Sequence, residues 1–516
     1  MGKLNKLVPL VALIALSGLI ILSRLHTYEE PLERDITTYA VIAHEMIGGK
    51  ALYSDLWDHK PPAIHVTYAA AELFAGYGRD SIFLLNIAAA LGTLLACYFA
   101  GSALRGGHMG GLVAASLWAL VSGDLALEGN QPNTEVFLNF FLTAGFAIFV
   151  RSEKSGLTLR GVLIAGSLFA LASLYKQIVV VNAGLLAVAY CAQADKGSRQ
   201  KALVDVAMIA AIGAVVWAGV IGYFAARGRL TAFWEAVFTF NRWYSGDVRQ
   251  NLGQFMTWPH VSPDVIAALV TMGAFSVAGL AIGLFFGSRR PWIFLFAFAL
   301  GAHVAVLLPG HFFPHYYQLW LPPLTIGVGW TVALLRRIVP IRLSWLSPVA
   351  ASVACIVLLI IELPYYRASA ESWSEQKYGS VFLECDRLAK TLDRVLPANA
   401  TFYNWGDQTG LYFASHRSPP SGVTFAIPAI KGPLIGKLSQ RLIDDLGRTR
   451  PDLIVTDHWM VATTASHPVF KWLENDYCPV FQTNTFWIKQ QEPPYFVPDQ
   501  FLIYARKGSP LAGALN

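Results

Sequence analysis

Long, nearly uninterrupted runs of apolar residues, separated by short polar segments, organise most of the chain. A helix needs about 20 such residues to cross the roughly 30 Å hydrocarbon core of a bilayer. Runs that reach or approach this length lie at 7–25, 80–104, 108–123, 134–150, 159–175, 177–193, 202–225, 263–287, 291–309, 318–338 and 345–363. The pattern therefore predicts about eleven transmembrane helices.

The first run also has one feature of a secretory signal peptide, because Lys3 and Lys6 precede its apolar core. It is long for a signal peptide, and no small-x-small cleavage motif follows Ser23-Arg24-Leu25. We therefore interpret it as an uncleaved membrane anchor, with a cleaved signal peptide as the alternative.

The pattern changes after residue 364. Residues 401–405 and 453–456 have the character of β-strands, and 380–394 and 435–447 have that of helices, with proline and glycine between these segments. This predicts two domains: a transmembrane domain over 1–364 and a soluble α/β domain over 365–516.

Composition supports a polytopic membrane protein. Of the 516 residues, 55% are hydrophobic and 14% are charged, and the mean hydropathy is +0.46, which is too apolar for an ordinary soluble enzyme. The net charge of +6 comes largely from basic residues in alternate short loops, such as those near Arg105, Arg151 and Arg336. A cytoplasmic N-terminus places these loops inside, so topology explains the positive charge and no nucleic-acid partner is expected.

With an odd number of spans, this orientation places residues 26–79, 226–262 and 365–516 outside the cytoplasm. Of the five cysteines, Cys385 and Cys478 fall in the predicted external domain and could form a disulfide bond. The other three lie in predicted spans, where cysteine commonly serves as a small apolar filler. No spacing of cysteine and histidine is typical of a closed zinc site.

Charged residues gather just after the first span. Glu33-Arg34-Asp35 is followed by Tyr39 and by the segment Trp57-Asp58-His59-Lys60-Pro61-Pro62. A carboxylate can accept the proton of a hydroxyl group while that oxygen attacks a sugar carbon. A sugar carried on a phosphate needs no second carboxyl group to protonate its leaving oxygen, so one base and one or two cations would suffice.

These residues resemble the first external loop of membrane glycosyltransferases of the GT-C type, in particular bacterial members of family 39, the group that includes protein O-mannosyltransferases and the lipid A aminoarabinose transferase. The resemblance extends over most of the chain. It implies that Asp35 is the catalytic base, with Arg34, Tyr39 and Asp58 in support. The family often has Glu after this Asp, whereas this chain has Ile36, which leaves Asp35 alone in the motif.

Three further blocks carry the resemblance. Asn133-Thr134-Glu135 is similar to the second acidic position of the family, which helps to orient the acceptor or the base; capping of the following helix is the structural alternative. His311 and His315, in the last external turn before a span, are expected to contact phosphate or sugar. Their spacing also suggests a metal pair, although Pro314 argues against one helical face. Asn404-Trp405-Gly406-Asp407-Gln408 resembles the opening of the external domain.

Two cations are candidates for binding the phosphate of the leaving group. Lys60 stands beside two prolines, and its alternative role is contact with lipid headgroups. Arg242 lies in the predicted external segment Phe240-Asn241-Arg242-Trp243-Tyr244. The alternative is that this aromatic segment is an amphipathic interfacial one, which would have the same composition.

The resemblance implies an inverting glycosyltransferase of the bacterial inner membrane. Its donor would be a polyprenyl-phosphate sugar and its acceptor a lipid, a glycan or a protein on the external face, with no cofactor required and a divalent metal not indicated. The spans would supply a cleft for the isoprenoid tail among the membrane lipids. The alternatives are a polytopic transporter or lipid-linked sugar flippase and a non-catalytic assembly or receptor protein. The sequence does not identify the sugar or the acceptor.

Overall fold

The computed structural model describes residues 4–152, 155–254, 263–286, 289–480 and 501–514. Parts of the predicted external regions, residues 255–262 and 481–500, lie outside the described residues, and so does Lys3 of the first run. The described chain is mainly helical, with a small sheet near its C-terminus.

The helices of the first 364 residues are α1 Leu4–His26, α2 Arg34–Ile47, α3 Ala63–Ala75, α4 Arg79–Gly101, α5 Gly107–Val121, α6 Thr134–Arg151, α7 Leu159–Ser173, α8 Val180–Gln193, α9 Arg199–Ala226, α10 Leu230–Trp234, α11 Asn241–Tyr244, α12 Val248–Gly253, α13 Pro263–Phe286, α14 Arg289–Leu307, α15 Leu321–Ile338 and α16 Leu346–Glu362. A π-helical segment, Glu235–Phe240, joins α10 to α11. A 3-10 helix, Pro314–Trp320, leads into α15.

The remaining elements are α17 Ala370–Tyr378, α18 Val381–Val395, β1 Phe402–Trp405, α19 Gly410–Ala414, α20 Ile427–Ile430, α21 Ile435–Thr449, β2 Leu453–Asp457, α22 His458–Thr464, α23 Pro468–Asp476, β3 Tyr477–Val480, β4 Phe501–Arg506 and α24 Pro510–Ala514. The strand order is β1-β2-β4-β3. Strands β1 and β2 are parallel, and β4 runs antiparallel to both β2 and β3.

Eight helices in the described part of the chain are long and apolar enough to cross a membrane. They account for eight of the eleven predicted spans, and the other three predicted spans correspond to the shorter apolar helices Gly107–Val121, Leu159–Ser173 and Gln177–Gln193. The molecule is therefore a multi-pass α-helical membrane protein, as predicted.

The chain forms two compact units. The first comprises Met1–Tyr28, Ile82–Tyr223 and Ser245–Trp373, and the second comprises Glu29–Ser81, Phe224–Tyr244 and Ser374–Asn516. The second unit thus combines α2 and α3, the segment Phe224–Tyr244 and the C-terminal residues. The predicted division at residue 364 into a membrane domain and a soluble domain stays a prediction.

Small residues set the packing of the first unit. Helix α5 packs against α1, α15 and α16. A Cβ atom at Gly110 would lie 2.7 Å from the carbonyl oxygen of Gly101 and 3.1 Å from that of Gly329. Because lipid provides no hydrophobic drive between helices, close backbone approach of this kind is what membrane helices use to associate.

The second unit has its own apolar core. Helix α21 is amphipathic and buries Leu438, Leu442 and Leu446 at four-residue spacing. These side chains meet Trp405 of β1 and Trp57 of the loop between α2 and α3. The Trp57 amide also donates to the carbonyl oxygen of Gly422, 2.9 Å away. The loop that carries Lys60 is therefore anchored on the core of the α/β elements.

Candidate active site

Asp35 lies in the first turn of α2, and the local sequence explains why the helix begins there. Glu33 is the N-cap residue, and its carboxylate accepts a hydrogen bond of 2.9 Å from the Asp35 amide. Carboxylates near a helix N-terminus are favoured by the unpaired amides and by the helix dipole. The Asp35 side chain is one-third exposed, so a solvent-borne or membrane-borne substrate can reach it.

Lys60 and Tyr39 meet the Asp35 carboxylate. The Lys60 ammonium nitrogen is 3.9 Å from Asp35 Oδ2, and the Tyr39 hydroxyl group donates to the same oxygen over 3.5 Å. Lys60 is mostly buried, and its carbonyl oxygen accepts a hydrogen bond of 2.8 Å from the Tyr53 hydroxyl group. Three residues predicted from the sequence are thus brought together. An ammonium group here stabilises negative charge, either on the carboxylate or on an arriving phosphate.

Arg34 faces a different carboxylate. Its Nη1 atom lies 3.7 Å from Asp407 Oδ2, and its Nε atom lies 3.9 Å from Glu33 Oε1. Burial opposes the charged form of Arg34, but the nearby charges of Asp35, Glu33 and Asp407 raise its pKa overall. Burial also raises the pKa of Asp407 to about 6, against the opposing effect of Arg34. The block around Asp407, identified from the sequence only by resemblance, therefore contacts the residue beside the candidate base.

Asp58 is buried between two histidines. Its carboxylate oxygens lie 3.3 Å from His59 Nδ1 and 3.0 Å from His65 Nε2. Burial opposes the ionised form, but hydrogen bonds and charge from these histidines lower the pKa of Asp58 well below its usual value. With 2% exposure, Asp58 supports the loop that carries Lys60 and is not reachable by substrate.

Helix α11 contributes Arg242 and a residue that the sequence reasoning missed. Arg242 is exposed, and its role as a phosphate ligand stays a prediction. Tyr244 is partly buried, and burial raises its pKa; the charge of Asp35 also raises it, whereas the charges of Lys60 and Arg34 lower it. The Tyr244 ring centroid lies 5.2 Å from that of His59. A phenol next to a Lys-Asp pair can donate a hydrogen bond to a sugar or a phosphate oxygen.

Glu135, in the first unit, is a fully buried carboxylate with strong partners. Its Oε1 atom lies 2.7 Å from Lys176 Nζ, and its Oε2 atom accepts a hydrogen bond of 2.8 Å from the Thr134 hydroxyl group. Lys176 Nζ also lies 3.5 Å from the centroid of the Tyr316 ring. Asn133 is the N-cap of α6, and its side chain accepts from the Thr134 amide. The capping interpretation of this block is therefore correct for Asn133, while Glu135 forms an ion pair that capping does not require.

His311 and His315 do not form a helical pair. His315 is in the 3-10 helix and lies 3.0 Å from Glu128 Oε2, whereas His311 precedes that helix. Their rings flank Phe313 in a stack, with centroid distances of 5.5 and 5.7 Å. No group of three or more potential metal ligands occurs among the described residues. Contact of either histidine with phosphate or sugar stays a prediction, as does independence from cofactors.

The two cysteines of the C-terminal region are free thiols. Cys385 is buried on α18, and burial raises its pKa. Cys478 lies on β3, where its thiol donates to the carbonyl oxygen of Ala505 at 3.6 Å. The disulfide bond that the sequence left open is not formed.

The helical architecture and the small C-terminal sheet define a polytopic membrane protein of the GT-C fold class. The chain is similar along nearly its whole length to two crystal structures of ArnT from Cupriavidus metallidurans. For ArnT bound to undecaprenyl phosphate, the TM-score is 0.62 at 14% sequence identity, and the match covers 97% of this chain and 98% of that chain. For apo ArnT, the TM-score is 0.59 at 14% identity, with 98% of each chain covered. The sequence itself matches no protein-family model and no curated protein. The resemblance predicted from the sequence is thus confirmed at the level of the fold.

Proposed function

We propose that the protein is an inverting glycosyltransferase that moves a sugar from a polyprenyl-phosphate carrier to an acceptor on the external face of the bacterial inner membrane. The observation that carries this proposal is the partly exposed Asp35 carboxylate with Lys60 3.9 Å away, in a chain whose fold matches ArnT over nearly its full length. That ArnT was crystallised with undecaprenyl phosphate supports a polyprenyl phosphate as the lipid of the donor.

The chemistry assigns one role to each member of the pair. Asp35 removes the proton from the acceptor hydroxyl group as its oxygen attacks the anomeric carbon. The bond from that carbon to the phosphate oxygen breaks, and the electron pair leaves with the polyprenyl phosphate. Lys60 stabilises the charge that develops on this phosphate. A single displacement inverts the configuration at the anomeric carbon.

The proposal is tested by measuring release of polyprenyl phosphate from a panel of polyprenyl-phosphate hexoses and pentoses, with purified protein in lipid and an acceptor-containing membrane extract. We expect wild type to turn over one donor and Asp35→Asn to lose about 10²-fold or more of that activity, because a general base contributes about 10²–10⁴-fold. The matched control is Asp393→Asn, which neutralises a 55% exposed carboxylate of the same unit and should retain activity.

Either of two results would contradict the proposal. If Asp35→Asn turns over the donor at the wild-type rate, Asp35 is not the base. If wild type and both variants are silent across the panel while wild type moves a lipid-linked sugar between leaflets of a vesicle, the chain is a transporter or flippase.

A further inference from the structure

Three threonine hydroxyl groups meet at the first turn of α2, the turn that carries Asp35. The Thr409 hydroxyl oxygen lies 2.9 Å from that of Thr37 and 2.8 Å from that of Thr38. It also donates to the carbonyl oxygen of Arg34 over 3.0 Å. Thr37 and Thr38 belong to α2, whereas Thr409 follows β1 by four residues.

All three hydroxyl groups are buried, so their hydrogen bonds have no competition from bulk water. The exposed fractions are 0% for Thr409, 1% for Thr37 and 7% for Thr38. A hydroxyl group has one proton and two lone pairs. Thr409 can therefore donate to the Arg34 carbonyl oxygen while it accepts from both helix residues. Buried polar groups satisfied in this way fix one local arrangement.

The Arg34 carbonyl group belongs to the peptide bond that joins Arg34 to Asp35. A hydrogen bond to this oxygen therefore constrains the orientation of the peptide plane from which the Asp35 side chain projects. The Thr37 and Thr38 hydroxyl groups can donate to the same oxygen, at 3.0 and 2.7 Å, only when their single protons do not go to Thr409. Both of these residues move together with the helix. Thr409 is the partner that ties this turn to a different element.

Thr409 is itself held in place by its surroundings. It precedes α19, and its amide donates to the Asp407 carbonyl oxygen over 3.2 Å. At the neighbouring Gly410, a Cβ atom would lie 3.2 Å from Cys385 Sγ and 3.8 Å from Thr37 Cγ2, so the backbone here has little room to shift. On the same side, the Asp407 carboxylate faces the Arg34 guanidinium group at 3.7 Å.

We propose that Thr409 is a positioning residue for Asp35, through which the segment after β1 fixes the angle at which the carboxylate meets the acceptor hydroxyl group. This inference rests on the proposed function. It gives the block Asn404–Gln408 and the residue that follows it a part in the reaction, because this segment completes the support of the catalytic helix.

The test compares Thr409→Val with Thr409→Ser in the donor-turnover assay. Valine keeps the shape and removes the hydroxyl group, while Thr37 and Thr38 retain the Arg34 and Glu33 carbonyl oxygens as acceptors. A misplacement of about 1 Å can cost about 10²-fold in rate. We expect Thr409→Val to lower kcat about ten- to a hundredfold with the KM for the donor within twofold of wild type, and Thr409→Ser to recover kcat to within about threefold.

The matched control is Thr456→Val on β2. Thr456 is also buried, and its hydroxyl group donates to the carbonyl oxygen of Trp405 over 2.8 Å, in the same unit. Thr456→Val should lower the thermal midpoint about as much as Thr409→Val does and should leave kcat unchanged. If Thr409→Val keeps the wild-type kcat, or if Thr456→Val lowers kcat equally, Thr409 has no positioning role. These outcomes require an active wild type, so they are distinct from the silence of wild type that would remove the proposed function itself.

Discussion

Asp407 shows how one buried carboxylate can make the stability of this protein depend on pH. Burial raises its pKa from 3.8 to about 6, and Arg34 reduces the effect. Between these values the folded state binds a proton that the unfolded state has released, so the free energy of unfolding contributed by Asp407 falls as the pH rises from about 4 to about 6. Each pKa unit corresponds to about 1.4 kcal/mol.

Replacing Asp407 by Asn removes this pH-dependent contribution. We expect Asp407→Asn to match wild type near pH 4 and to be more stable near pH 7, by up to about 3 kcal/mol. This figure already includes the favourable charge of Arg34, because Arg34 lowers the pKa from which it is calculated. The difference in stability between Asp407→Asn and wild type is measured from thermal unfolding midpoints of the detergent-solubilised proteins between pH 4 and 7.5. Asp393→Asn is the control. A variant less stable than wild type at pH 7 would show that the contact with Arg34 outweighs the cost of burial.

Sequence reasoning at the level of single residues grouped candidates that are close along the chain, and the structure places Lys60 and Tyr39 near Asp35. Asp35 and Tyr39 are four residues apart on one helix, and Lys60 follows in the same predicted external segment. Thr409 could not be assigned to the turn that carries Asp35, because its contact with Thr38, 371 residues earlier, depends on how the chain folds back. Lys176 did leave a signal: it stands alone between the predicted spans 159–175 and 177–193, on the side where basic residues are otherwise scarce in short loops.

At the level of elements, the Glu135–Lys176 pair joins the start of α6 to the turn between α7 and α8. Breaking a buried pair by removing one partner leaves an uncompensated charge and costs about 3–5 kcal/mol. We expect Lys176→Met to lower the thermal midpoint substantially, and Lys176→Met combined with Glu135→Gln to recover most of the loss. Lys390→Met is the control, because its partner Asp386 lies on the same helix and the lysine is 61% exposed.

A double variant that is no more stable than Lys176→Met alone would show that the lysine acts through its contact with the Tyr316 ring rather than through Glu135. Polyprenyl-phosphate release by the double variant then supplies a second measurement. If turnover is lost while the thermal midpoint is recovered, the Glu135–Lys176 pair has a role in the reaction beyond the stability of the helices that it joins.

The elements themselves were largely predictable, because hydrophobic periodicity is local. Predicted strands at 401–405 and 453–456 correspond to β1 and β2, and predicted helices at 380–394 and 435–447 correspond to α18 and α21. Strands β3 and β4 were not predicted. Strand β3 contains Pro479 and lies at the edge of the sheet, so its sequence lacks the usual strand pattern.

At the level of the whole molecule, the number of crossing helices decides on which side of the membrane the C-terminal residues lie. Eight helices are long enough by themselves, and α5, α7 and α8 are shorter apolar helices. If all three cross, the count is eleven and the termini lie on opposite faces. If one of them fails to cross, the C-terminal residues share the face of the N-terminus, opposite to Asp35, and the contacts of Asp407 and Thr409 with α2 could not form.

Single cysteines in a cysteine-free background test this count. Lys390→Cys places a thiol at a 61% exposed side chain on α18, and Arg105→Cys places one at an exposed position between α4 and α5. With a membrane-impermeant maleimide on intact cells, we expect labelling at 390 and none at 105 until the membrane is opened. Nine predicted spans separate the two positions, so labelling of both would mean that an even number of helices crosses between them. Labelling at 105 alone would place the N-terminus outside and the Asp35 site in the cytoplasm, where the same chemistry would require an acceptor on the inner face.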